Sequence, residues 1–244
     1  MTRRHAIPTL TLAAAALGAA VLLASDTPVF ARGPAADAVS VVFVLDTSAS
    51  VQQGRLERGH RVAPAPENFD QLVSAARLVL GELRPDDEAA LVTFADRISL
   101  VAPFAAGGGT VGQGMASAAL RQPPRAFPAS VVHDAVIAAA GLVAARGRPA
   151  HVLLLSDGVD TSSWASQPEA INAARAFGVE VDFVTVPRTY ETYDDVDSVY
   201  PVDVDPLAKK TGGRVLSARD GRLATKIRDL VEGWRAAALS RTAR

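Results

Sequence analysis

Five oxygen-bearing side chains set the chemistry open to this chain. Asp46, Ser48 and Ser50 stand at alternate positions in Asp46-Thr47-Ser48-Ala49-Ser50, directly after an apolar run. Ser130 stands just ahead of a helical pattern, and Asp157 lies in Ser156-Asp157-Gly158 after a second apolar run. A carboxylate and two hydroxyls at alternate positions converge on one point when a chain turns sharply off a strand end. All three offer oxygen, which suits a hard divalent cation such as Mg2+ better than Zn2+ or copper. One carboxylate and two neutral hydroxyls leave a dication under-neutralised, so further ligands must come from Ser130 and Asp157. Taken singly, Asp-x-Ser-x-Ser is a turn satisfied by its own side chains. Followed by Ser130 and Asp157-Gly158 in a strand context, it reads as a metal site.

The elements that must position these residues follow from patterning. Val39 to Leu45 is a nearly continuous β-branched and apolar run, as in a strand buried on both faces of a parallel sheet. His151–Leu155 and Val179–Val186 read likewise, and Ala89–Phe94 is a further strand. Ile98–Phe104 reads as an antiparallel hairpin edge, and Arg214–Leu216 as a short strand. Helical spacing runs over Phe69–Leu83, Val111–Leu120, Val131–Ala145, Pro168–Phe177, Leu207–Lys210 and Leu223–Ala238. The polar stretch Asp46–Glu67 is expected as loop, Gly107–Gly109 as a flexible loop, and Arg235–Arg244 as a frayed helix end. Alternating strands and helices predict an α/β fold: a doubly wound, mostly parallel central sheet with helices on both faces and one short antiparallel edge strand. Ligands of such sheets sit at the carboxyl ends of the strands, where the loops after Leu45, Leu155 and Val186 emerge.

Asp-x-Ser-x-Ser after the first strand, a hydroxyl ahead of a helix, and Asp-Gly at a later strand end resemble the metal-ion-dependent adhesion site of von Willebrand factor A (VWA) domains. The resemblance runs over roughly Val39 to Val186. It implies a Rossmann-like VWA domain over 39–238, with Asp46, Ser48 and Ser50 as first-loop ligands, Ser130 as the second-loop ligand and Asp157 as the third. It also implies a cofactor, Mg2+ with Mn2+ or Ca2+ as alternatives, and an open coordination position for an aspartate or glutamate of a partner protein. The family usually carries threonine in the second loop. Serine at 130 keeps the oxygen but loses the methyl that stiffens the side chain, so metal binding is expected to survive in weakened form. The link from Val51 to Glu67 is longer than usual.

Other residues stand near the proposed site. Asp160 and Thr161 could hydrogen-bond waters around the ion, although Asp160 fits a helix N-cap equally well. His133 offers either a partner-facing ring or a partly exposed side chain beside a cap, and Asp134 a brace for the loop. Arg188 to Tyr200 holds all three tyrosines of the chain. It reads either as a specificity loop in which Tyr190 and Tyr193 face a partner or as a solvated insertion. Trp164 and Trp234 read as packing residues.

Composition narrows the function classes. With 25 Lys and Arg against 26 Asp and Glu there is no basic surplus for nucleic acid. The absence of cysteine excludes thiolate sites, thiol nucleophiles and disulfides. Residues 1–31 have a signal-peptide layout: Arg3 and Arg4, an apolar run from Leu10 to Ala24, and Val29-Phe30-Ala31 before a cleavage point. That run is short for a bilayer span. The expected protein is therefore exported, periplasmic or extracellular, with a linker over 32–38 and a tail over 239–244. Neither a Gly-x-Ser-x-Gly elbow, a phosphate loop with lysine, nor His-Glu-x-x-His occurs, so the expectation is a binding module and not an enzyme. The alternatives are a dehalogenase-like metal-dependent hydrolase and a structural domain with a vestigial metal site. The hydrolase needs a second acid two residues after Asp46, and Ser48 stands there.

Overall fold

A computed structural model describes residues 35–52, 56–57, 60–61, 66–117, 129–187 and 205–242. The signal-like segment, Tyr190 and Tyr193 lie outside the described residues. A six-stranded sheet forms the centre, in the order β5-β4-β1-β6-β7-β8. Its strands are β1 (Ser40–Asp46), β4 (Glu88–Phe94), β5 (Ile98–Ala106), β6 (Ala150–Ser156), β7 (Glu180–Thr185) and β8 (Val215–Ser217). All neighbours are parallel except β4 and β5, which pair antiparallel with register shifts. The expected sheet and its antiparallel edge strand are thus present.

Every residue of β1, β4 and β6 is buried, and the alternation of side chains across each strand assigns the two faces. Val41, Phe43, Leu45, Leu153 and Leu155 share a core with α2 (Pro66–Glu82), α3 (Gly109–Ala116) and α7 (Leu223–Thr242). Val42, Val44, Val152 and Leu154 share the other with α4 (Val132–Ala144), α5 (Gln167–Ala176) and α6 (Asp205–Thr211). The chain therefore leaves β1 over one face to reach β4 and later crosses the other face to reach β6. The connections after β1 and β6 diverge, which opens a crevice at the carboxyl ends of these two adjacent strands.

Three expectations need correction. The stretch read as loop after Asp46 contains a helical turn, α1 (Ala49–Gln52), and a short antiparallel ladder of β2 (Leu56–Glu57) with β3 (His60–Arg61). Such brief elements carry too few residues to show periodicity. Gly107 and Gly108 adopt positive φ and form a defined turn, and α3 begins already at Gly109.

The third correction concerns the end of the chain. Helix α7 runs on to Thr242, and Arg235, expected in a frayed terminus, is buried. It donates to Asp87 Oδ2 and to the Glu82 carbonyl, each over 2.7 Å. Asp87 in turn accepts the Val39 and Arg84 amides. A charge-assisted bond to a buried carboxylate thus ties the last helix to the amino end of the sheet.

Candidate metal centre

The candidate oxygen donors lie at and just after the carboxyl ends of β1 and β6 and on the segment ahead of α4. Thr47 still pairs with the end of β4, donating both its amide and its hydroxyl to the Phe94 carbonyl over 2.8 and 2.9 Å. From Ser48 the chain turns into α1, its Ser48 carbonyl accepting the Gln52 amide. The turn brings the Ser48 and Ser50 hydroxyls within 3.0 Å of each other. Asp46 Oδ1 accepts the Ser48 amide over 2.8 Å. Ser156, at the end of the neighbouring strand β6, donates its hydroxyl to Asp46 Oδ2 over 2.6 Å and accepts the Gly158 amide over 2.9 Å. Gly158, at φ 78°, takes the left-handed turn that lets the chain leave β6. Asp157 Oδ1 accepts the Val159 amide.

Asp46 is 0% and Asp157 1% exposed. Burial, and then the charge of Asp157, push the Asp46 carboxyl up to about 7 against the bonds from Ser156 and Ser48. The two acids are thus buried close enough for the charge of Asp157 to disfavour ionisation of Asp46.

Ser130 approaches from the other side of the crevice. Its amide donates to Thr161 Oγ1 over 2.9 Å, its carbonyl accepts the Thr161 and Ser162 amides, and the Val131 amide is held by the Ala95 carbonyl. With its backbone fixed on both flanks, Ser130 is 4% exposed and its Oγ finds no hydrogen-bond partner among the described residues. Buried hydroxyls are rarely left so.

The donor set fits a hard dication. It offers two carboxylates and hydroxyl oxygens, with the orphaned hydroxyl of Ser130 on a loop bonded to Thr161 and Ala95. Among the described residues no group of three or more His, Asp and Glu side chains gathers, so the hydroxyls have to carry a share of any coordination.

The surrounding residues act on the loops. Helix α4 begins after Val131, which has no side-chain cap to offer. Its first amides are satisfied by residues from the loop after β6. Asp160 Oδ2 and Ser163 Oγ accept the His133 amide over 3.0 and 3.1 Å, and Ser163 Oγ also lies 3.2 Å from the Asp134 amide. Of the two readings of Asp160, the structure therefore gives it the cap, on a helix remote in sequence. Asp134 returns the brace by accepting the Trp164 and Ala165 amides, both over 2.9 Å.

His133, read as either partner-facing or partly exposed beside a cap, is buried. Its side chain is 5% exposed, and Nδ1 lies 3.3 Å from Asp160 Oδ2 and 3.2 Å from the Ala165 carbonyl. Both neighbours are acceptors, so Nδ1 carries a hydrogen.

Sequence reasoning missed three residues here. Ser156 stood in the quoted Ser-Asp-Gly without a role, and Ser163 gave no signal at all. Trp164, read as packing, is 98% exposed, whereas Trp234 is buried as expected.

The chain resembles known proteins over this same region. The description "von Willebrand factor type A domain" matches residues 41–176, which include all five candidate ligands. No curated protein matches. Among solved structures, the conserved hypothetical protein BatB from Bacteroides thetaiotaomicron superposes with TM-score 0.58 at 18% identity, covering 82% of this chain and 99% of its own. A von Willebrand factor type A protein from Catenulispora acidiphila gives 0.56 at 18%, covering 81% and 42%. Proximal thread matrix protein 1 from the mussel byssus, described as having a zinc-occupied MIDAS motif, gives 0.54 at 17%, covering 82% and 46%. At such identities the likeness to these structures shows the fold alone; it is the match over residues 41–176, more than half of the chain, that makes this protein a member of the von Willebrand factor type A domain family.

Proposed function

We propose that this domain binds a divalent cation through Asp46, Ser48, Ser50, Ser130 and Asp157, and that the ion holds an aspartate or glutamate of a partner protein. The observation that carries this reading is the pair of buried, mutually repelling carboxylates, Asp46 and Asp157, together with the buried, orphaned hydroxyl of Ser130. A bound dication would supply positive charge to this pair and an open coordination position for an outside carboxylate. Asp46 and Asp157 provide the compensating charge, and the hydroxyls of Ser48, Ser50 and Ser130 provide neutral oxygens. Ser156 fixes the orientation of Asp46, and Thr161 fixes the backbone of Ser130. Mg2+ suits this oxygen set best, with Mn2+ and Ca2+ as alternatives; Zn2+ enters because a solved relative is described with it.

The domain acts as an adhesion or assembly module and not as an enzyme. Ser48 cannot serve as the general acid of a dehalogenase-like hydrolase, and the inward-turned His133 supplies no base to the crevice. We also infer that the protein is exported, from the layout of residues 1–31; among the described residues no helix is long and apolar enough to cross a membrane.

The test is calorimetric titration of Mg2+, Mn2+, Ca2+ and Zn2+ into the protein and into Asp46→Ala and Asp157→Ala. Saturable one-site binding by the wild type, lost in both folded variants, supports the proposal. Wild-type protein that binds none of the four ions would leave a structural domain with a vestigial site.

A further inference from the structure

Trp164 is 98% exposed, yet its backbone is held by hydrogen bonds at residues 163, 164 and 165. Its amide donates to Asp134 Oδ2 and the next amide to Asp134 Oδ1, while Ser163 is bonded to Asp160 through both its amide and its hydroxyl. The Ser162 amide, two residues earlier, donates to the carbonyl of the candidate ligand Ser130. Two residues of chain span at most roughly 7 Å, so Trp164 is fixed to the rim of the proposed metal site. Leaving a whole indole in water forgoes a large apolar burial, and tryptophan on a pre-ordered backbone is the residue type most enriched among binding hot spots.

The charge around it selects the partner group. The rim itself, residues 129–134 and 156–169, contains Asp134, Asp157, Asp160 and Glu169 and not one Lys or Arg, while Arg146 and Arg175 stand at the far, carboxyl ends of α4 and α5. With the dication balanced by Asp46 and Asp157, the charges of Asp134, Asp160 and Glu169 remain around the ring. An indole face set among acids favours a cation, which gains from the ring quadrupole and from the surrounding carboxylates alike.

We propose that Trp164 is the second anchor of the partner surface and receives an Arg or Lys side chain carried a few residues from the carboxylate that closes the metal site. This rests on the metal-dependent reading above, and the test separates the two. The probes are acetyl-Asp-(Gly)n-Arg-amide peptides with n of one to three, and their Leu and Ala counterparts, titrated calorimetrically at saturating Mg2+. At the best spacing the Arg peptide is expected to bind wild-type protein about threefold tighter than the Ala peptide, the size of an exposed cation–π contact, and to perturb Trp164 fluorescence. Trp164→Ala should abolish that advantage while leaving Mg2+ affinity and Ala-peptide binding unchanged. Equal affinities of Arg and Ala peptides, a Leu peptide that outbinds Arg, or an Arg advantage that survives Trp164→Ala would each overturn the inference with the metal reading intact. If Mg2+ binds but no peptide does, the carboxylate-closing reading fails and this inference with it.

Discussion

The hydroxyl of Ser156 donates to Asp46 Oδ2 over 2.6 Å, across 110 residues of sequence. This bond joins the ends of β1 and β6 and leaves Asp46 Oδ1 with the amide of Ser48. The Asp46 carboxylate is thereby oriented from two sides before any ligand arrives. Pre-orientation of this kind lowers the ordering cost of binding, and it yields the first expectation. Ser156→Ala should weaken Mg2+ binding by roughly tenfold, the lower end of what loss of a ligand-orienting group costs. Calorimetry on a variant whose circular dichroism matches wild type checks this; unchanged affinity would remove Ser156 from the account.

Binding should release a proton. Burial and the Asp157 charge raise Asp46 to about 7, and a metal ligand must be deprotonated. Below that value the ion has to displace a proton, so affinity should fall by up to about tenfold per pH unit. Above it the dependence should flatten. Titrations at pH 6 in two buffers of different ionisation enthalpy would count the protons; identical apparent enthalpies would contradict the linkage.

Ser130→Ala separates ligand from scaffold. Because Ser130 Oγ makes no hydrogen bond among the described residues, its removal should not destabilise the apoprotein, since a buried hydroxyl without a partner contributes no favourable bond. Metal affinity should nevertheless drop. Urea unfolding with and without Mg2+ reads both at once, since an ion bound only by the folded state raises its stability. A large loss of stability without metal would show that the hydroxyl has a structural partner.

Asp160 carries a different burden. Its carboxylate accepts the His133 amide at the start of α4 and both donors of Ser163. Asp160→Ala should cost about 1–2 kcal/mol, as the loss of a helix cap does. Thermal unfolding of the metal-free protein would check it, and an unchanged midpoint would argue against the cap.

Asp182 should imprint its own pH dependence. It is buried, accepts the Arg214 amide and the Trp234 indole N–H over 2.8 Å each, and is raised to about 6, chiefly by burial. A folded-state value above the ordinary 3.8 means that the folded protein retains a proton the unfolded chain releases. This contribution is therefore complete below about 4 and is lost as pH rises through about 6. Its size is up to ~3 kcal/mol, taken as about two units at 1.36 kcal/mol each. The stability of wild type relative to Asp182→Asn should fall across that interval in urea titrations; parallel curves would refute it.

Much of this molecule can be read from its residues in order. The β-branched run from Val39, the helical spacing from Phe69 and the apolar run at His151 each announce an element whose edges the structure moves by only a residue or a few. Hydrophobic periodicity is a local property, because a strand or helix must present its apolar side chains at its own repeat. Asp46, Ser48, Ser50, Ser130 and Asp157 were legible as oxygen donors at strand and helix ends for the same reason. Tertiary structure alone decided which ends meet. Setting β1 between β4 and β6 brings Ser156 onto Asp46, and packing α4 beside the loop after β6 lets Asp160 and Ser163 cap a helix that begins near residue 132. The same packing buries Arg235 against Asp87 and leaves Trp164 in solvent. No local pattern encodes these outcomes, because burial and hydrogen-bond partners depend on which distant segment arrives.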